Sequence, residues 1–168
     1  MLIEPFNKTK SMKCVYRFIS SILICQLAGI IGSLFTISSV NSWYFELSKP
    51  ILNPPAWVFG PVWITLYFLM GISLFIIWNK EISSPEKKNA LLLFFVQLFL
   101  NASWSLVFFG LHQLLLSVIV IIILWLLIFI TIILFGKLSR SAALLLFPYL
   151  IWVSFAAYLN ISIYLLNK

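Results

Sequence analysis

Five apolar runs, each close to the roughly 20 residues a helix needs to cross a bilayer, leave this chain little choice of fold. They cover about residues 15–37, 57–78, 89–109, 114–135 and 141–166 of the 168. Within each run the apolar residues are continuous and do not alternate, which points to helices rather than barrel strands. The punctuation agrees. Asn53-Pro54-Pro55 is a helix-start signal ahead of the second run, and Ser83-Ser84-Pro85 breaks the chain before the third. Gly110-Leu111-His112-Gln113 is a very short link to the fourth, which Gly136-Lys137 ends. The expected fold is all-α, an integral membrane bundle of five transmembrane helices that occupies residues 1–168 as a single domain. The basic-then-apolar N-terminus mimics a signal peptide, but its apolar part is long and lacks a clear small-x-small cleavage site, so it reads as a span.

Charge then sets an expected orientation. Only 9% of residues are charged against 63% hydrophobic, a balance that suits lipid and not water. The acids are Glu4, Glu46, Glu81 and Glu86, all in loops or the N-terminal tail. With alternate spans reversing direction, Lys8, Lys10, Lys13, Arg17, Lys80, Lys87, Lys88, Lys137 and Arg140 share one side. Lys49 and Lys168 lie on the other. Nine against two predicts a cytoplasmic N-terminus and a C-terminus on the opposite face. The net charge of +7 sits in short clusters beside apolar runs, as contact with anionic lipid headgroups requires. It lacks the aromatic–basic interleaving of a nucleic-acid surface, so no nucleic-acid partner is expected.

The equipment for acid–base, metal or phosphate chemistry is missing. The sequence has no Asp, one His (His112, in the third-to-fourth link) and two cysteines, Cys14 and Cys25, which read as small fillers. No metal site, no cofactor and no Ser-His-Asp arrangement is expected, and no span carries a central charge of the kind proton-coupled pumps use.

What the spans do carry is aromatic side chains beside neutral polar ones. At helical spacing Trp63, Tyr67 and Met70 share a face. Gln97, Asn101, Trp104 and Phe108 share another, and Tyr149, Trp152, Ala156 and Asn160 a third. Such groups either hydrogen-bond between helices and fill space, or line a pocket for a flat apolar ligand with a few polar edges. Pro61 and Pro148 cannot bond the carbonyls of Trp57 and Leu144, which either kinks a helix or lines a wet cavity. Trp43, Tyr44 and Trp78, near span ends, suit an interfacial belt. Ala28 with Gly32, and Gly29 with Ser33, put small residues on one side of the first span, for a dimer contact, a ligand or packing within the monomer.

Taken in order, these residues resemble the TspO/translocator family. Trp43-Tyr44, Lys49-Pro50 and Pro54-Pro55-Ala56-Trp57 are similar to its first loop, and Phe59-Gly60-Pro61-Val62-Trp63, Leu66-Tyr67 and Met70-Gly71 to its second helix. Gln97-Leu98, Leu100-Asn101, Trp104 and Phe108-Phe109-Gly110 resemble the third, and Pro148-Tyr149-Leu150, Trp152, Phe155-Ala156 and Leu159-Asn160 the fifth. The resemblance implies a five-helix, commonly homodimeric protein with a cavity closed by the first loop. Its ligands are porphyrins and haem-like tetrapyrroles, in many members also sterols, isoquinolines or benzodiazepines. By motif, the implied ligand-binding residues are Trp57, Phe59, Trp63, Tyr67, Gln97, Asn101, Trp104, Tyr149, Trp152, Ala156 and Leu159. The implied function is a membrane receptor or sensor. The alternatives are a light- and oxygen-dependent porphyrin-degrading enzyme using Trp63 and Trp152, or a tetrapyrrole transporter. The chain departs from the family at Lys49-Pro50-Ile51-Leu52, where a loop tryptophan is missing, and at Ser117-Val118-Ile119-Val120, where many members have Asp. Leu159, Tyr164 and Lys168 match a loose sterol pattern, but not in the register of the animal motif.

Overall fold

A computed structural model of the chain describes residues 8–40, 42–82 and 84–168; Glu4 and Ser83 lie outside them, and of Lys8 and Lys10 only the backbone is described. Helix α1 is Lys8–Val40, α2 the single turn Trp43–Glu46, α3 Ala56–Trp78, α4 Pro85–Ser105, α5 Leu114–Leu138 and α6 Arg140–Leu166. All but α2 are long and apolar enough to cross a membrane. Helix α1 outruns its apolar stretch at both ends, because hydropathy marks the hydrocarbon crossing and not the end of helical hydrogen bonding. In its last turns Ser38 Oγ donates back to Phe35 O at 2.8 Å, while Ser39 Oγ reaches across to Phe109 O at 2.6 Å.

The connections use local chemistry. Ser84 caps α4 by accepting from the Lys87 N–H at 3.2 Å, with Pro85 in the first turn where its missing donor costs nothing. Ser139 alone joins α5 to α6. Its backbone N–H closes α5 on Phe135 O and its hydroxyl caps α6 at Ala142 N. Helix α4 ends in a π turn, Leu106–Gly110, in which Leu111 N reaches Leu106 O. The wider turn brings Phe108 and Phe109 into edge contact with each other, 4.8 Å between centroids.

The long helices pack mainly in the closed order α1–α3–α6–α5–α4 and back to α1, with a smaller contact of α3 on α4 across the ring. On the α5–α6 side the ring is filled solid by Ile121, Leu124, Ile128 and Phe135 against Ala142, Leu146 and Val153. The outward face of α5, with Ile119, Ile122, Leu126, Phe129 and Ile133, is exposed. In water that stripe would be a large unburied apolar surface; in hydrocarbon it is simply the lipid face. At the end of the bundle holding the α3–α4 link, Arg17 Nη1 donates to Asn79 Oδ1 at 3.3 Å. There Lys87 Nζ donates to the carbonyls of Trp78 and Lys80, so a cation meets the negative end of α3. At the far end, Ser48 and Asn167 bond reciprocally at 3.0 and 2.9 Å, tying the long α1–α3 loop to the end of α6.

Candidate functional site

The ring is not filled toward the loop end. There α1, α3, α4 and α6 enclose a cavity of about 470 Å³, within the range of small-molecule sites. Trp57, Phe59, Trp63 and Tyr67 reach it from α3, Asn101 and Trp104 from α4, and Trp152, Ala156 and Leu159 from α6. Phe59, Trp63 and Tyr67 sit about one turn apart, so one helical face becomes one wall, with Trp57 at its edge. Phe59 meets the Trp152 ring edge-on at 6.0 Å, and Trp63 contacts Tyr67 at 5.5 Å and Tyr149 at 6.3 Å.

Gln97 and Tyr149, expected among the lining residues, do not line it. They share faces with Asn101 and Trp152 but lie about a turn deeper, where α3, α4 and α6 close on one another. Tyr149 is fully buried. A directed chain of hydrogen bonds runs through that floor. Tyr67 donates to Asn101 Oδ1 at 3.2 Å, Asn101 Nδ2 to the Tyr149 hydroxyl at 2.6 Å, and Tyr149 to Gln97 Oε1 at 2.9 Å. A second chain stiffens the wall beside it. Trp104 Nε1 donates to Asn160 Oδ1 and Asn160 Nδ2 to Ser117 Oγ, each at 2.9 Å. Asn160 also lines the cavity.

One polar atom in the wall is left over. Trp152 Nε1 is buried and has no hydrogen-bond partner in the protein. It is covered on the cavity side as well, so the donor is stranded inside the wall, as is Gln97 Nε2 in the floor. Among the described residues no group of three or more His, Cys, Asp or Glu is arranged to hold a metal ion.

The fourth wall is a contribution the motif residues missed. Gln26, Gly29, Gly32, Ser33 and Thr36 of α1 all face the cavity. The signal was present as the small-residue stripe, which left its purpose open. A Cβ on Gly29 would stand 2.5 Å from the Tyr67 ring, and one on Gly32 would be 3.2 Å from Ser105 Oγ. The small residues thus let α3 and α4 side chains approach α1 inside the monomer.

Tyr44 is a second departure. It was expected at the membrane interface, yet it is buried and lines the cavity. The turn α2 folds it inward onto Phe108 and Phe109, with its hydroxyl on Asn53 Oδ1 at 2.9 Å. Burial pushes its phenol above the usual tyrosine range, with the Asn53 bond opposing in part. Neighbouring Trp43 stacks on His112 at 4.1 Å, and His112 takes a left-handed backbone, φ 55°, to present its ring there.

Residues 21–166, which hold all of these cavity-lining positions, match a known protein family in sequence. The chain belongs to the TspO/MBR family. It is 44% identical over 153 residues to the tryptophan-rich protein TspO of Archaeoglobus fulgidus, covering 91% of this chain and 98% of that one. It is 36% identical over 140 residues to the translocator protein of Bos taurus, covering 82% of each. A tryptophan-rich sensory protein of Cereibacter sphaeroides is 34% identical over 150 residues, 89% of this chain and 90% of its own. As a TspO/MBR member with five apolar helices, the chain is a multi-pass integral membrane protein.

Proposed function

We propose that the cavity binds a flat, mostly apolar molecule of the porphyrin or wider tetrapyrrole class, and that the protein is a membrane receptor or sensor for it. One observation carries this: a cavity of about 470 Å³ walled by Trp57, Phe59, Trp63, Tyr67, Trp104 and Trp152, with the amides of Asn101 and Asn160 among its few polar groups. Aromatic walls offer stacking area to a flat ring. A relative named a tryptophan-rich sensory protein supports the sensor reading. Sterol-like, isoquinoline and benzodiazepine molecules share the chemistry and serve as competitors. The test is titration of the purified protein with protoporphyrin IX in the dark, following tryptophan quenching. Saturable quenching supports the proposal, and its absence removes it.

A second reading is favoured by Trp63 and Trp152 lining the same cavity. With a porphyrin bound, light and oxygen could turn both indoles to porphyrin degradation. If Trp63→Phe and Trp152→Phe keep dark binding while light-dependent porphyrin loss stops, the protein has photochemistry. If the unmutated protein loses no porphyrin under light, the enzyme reading fails. Flux of porphyrin across sealed vesicles tests transport.

The basic residues gathered around the α3–α4 and α5–α6 links support a cytoplasmic N-terminus, which fusions of a compartment-specific reporter to each terminus would check. The homodimer implied by the family would use a face other than the Gly29–Gly32 side of α1, which is taken up inside the monomer.

A further inference from the structure

Helices α1 and α3 are in tight contact at one end and apart at the other. At Gly71 a Cβ would lie 2.9 Å from Ile22 Cα and 3.2 Å from Ser21 O, so the two backbones touch. At Gly60, eleven residues and about 16 Å back along α3, a Cβ would meet nothing within 4 Å. Between these points Gln26 Nε2 donates across the pair to Ile64 O at 3.1 Å. The two helices therefore form a V that is closed at Gly71, tied at Gln26–Ile64 and open at Gly60. Pro61 lies at the open end, where it leaves the Trp57 carbonyl without its helical donor.

The residues edging the open end belong to two surfaces at once. Ile30 and Ile37 of α1 and Trp57 and Ile64 of α3 all line the cavity, yet they are 55, 71, 73 and 63% exposed. A side chain can do both only at a mouth. Both helices are apolar enough to span a membrane and no charged side chain edges this mouth, as an opening toward hydrocarbon requires. On the loop side Tyr44 packs over Phe108 and Phe109, and Trp43 on His112.

We infer that the ligand reaches the cavity sideways from the bilayer, through the gap between α1 and α3 at Gly60. This rests on the cavity binding an apolar ligand, as proposed above. It narrows the ligand class to amphiphiles that partition into membranes, whose apolar edge can slide between Ile37 and Trp57. Gly60 is then the position that keeps the doorway wide.

The test has two arms in lipid vesicles. In the first, a spin label is placed by Gly60→Cys with Cys14→Ser, the native Cys25 being fully buried. Collisions with dissolved oxygen should exceed those with a water-soluble nickel chelate; the reverse order puts the gap in water and overturns the inference. In the second, protoporphyrin IX binding is followed in time for Gly60→Phe. A plugged doorway slows association and dissociation together, each about tenfold, and leaves the equilibrium affinity within about twofold. Unchanged association overturns the route. So does weaker affinity with faster dissociation, which would make Gly60 part of the binding wall. If the unmutated protein binds no porphyrin, the proposed function fails by itself, and the spin label still decides whether the gap faces lipid.

Discussion

The Asn101 amide donates to the Tyr149 hydroxyl at 2.6 Å, and this bond joins α4 to α6 beneath the cavity. Tyr149 also donates onward to Gln97, so its oxygen is the centre of a chain crossing three helices. Tyr149→Phe keeps the ring but leaves the Asn101 donor and the Gln97 acceptor unpaired. A loss of about 1–2 kcal/mol in unfolding stability is expected, within the cost of stranding buried polar groups. Tyr67→Phe, at the end of the chain, strands only the Asn101 acceptor and should cost less, about 0.6 kcal/mol, as such bonds often measure in membranes. Unfolding in mixed detergent micelles gives both values. Equal losses would mean that the chain does not act as described.

Two glycines of α3 should respond oppositely to alanine. Gly60→Ala puts a methyl into open space and gains helix propensity, so stability should rise by about 0.5–1 kcal/mol. Gly71→Ala drives a methyl against the backbone at Ile22, and a loss of about 1–3 kcal/mol is expected from overpacking. Thermal unfolding of the two variants side by side checks the contrast, and a stabilised Gly71→Ala would contradict the close α1–α3 approach.

Ala156 lines the cavity on the same face as Trp152. Ala156→Phe fills space that a bound ring needs, so porphyrin affinity should fall by more than about tenfold, or 1.4 kcal/mol. Trp152→Phe shortens one aromatic wall and should weaken dark binding by less than about tenfold, leaving it measurable. Dark quenching titrations measure both. An Ala156→Phe protein that binds unchanged would place the ligand elsewhere.

Tyr44 links the loop to alkaline stability. Its phenol is held above the ordinary value of 10.0 in the folded protein. Below that value both folded and unfolded chains keep the proton, and the loop contact is at full strength. As pH rises past it the unfolded phenol ionises first, so folding stability falls. Tyr44→Phe should therefore show a shallower loss of stability above pH 10 than the unmutated protein. Parallel alkaline titrations of unfolding would reveal no difference if the Tyr44 ring were solvated.

Much of the site was legible before the fold. Trp63, Tyr67, Asn101, Trp104, Trp152 and Ala156 lie at helical intervals, so their shared faces follow from 3.6 residues per turn. Gln97 and Tyr149 obey the same interval and still fall outside the cavity, because periodicity gives a face and not a depth. How far down two helices part is decided by side-chain volumes on both. The contribution of α1 was hidden for a related reason: Gly29 and Gly32 carry no chemistry, and their use depends on Tyr67 and Ser105 approaching from other helices.

By itself the sequence determined five apolar spans, a strong charge bias between their ends, and span interiors equipped with aromatic and neutral polar side chains. Those follow from the cost of polar groups in hydrocarbon, a local property that each segment must satisfy alone. Only the tertiary structure decided that the five helices close as α1–α3–α6–α5–α4, that a floor of hydrogen bonds stops the cavity at Tyr149, and that α1 and α3 part at Gly60. Those depend on contacts between residues far apart in the chain. Lipid is as apolar as the helix faces it meets, so hydropathy cannot choose among partners, and close packing and buried hydrogen bonds make the choice.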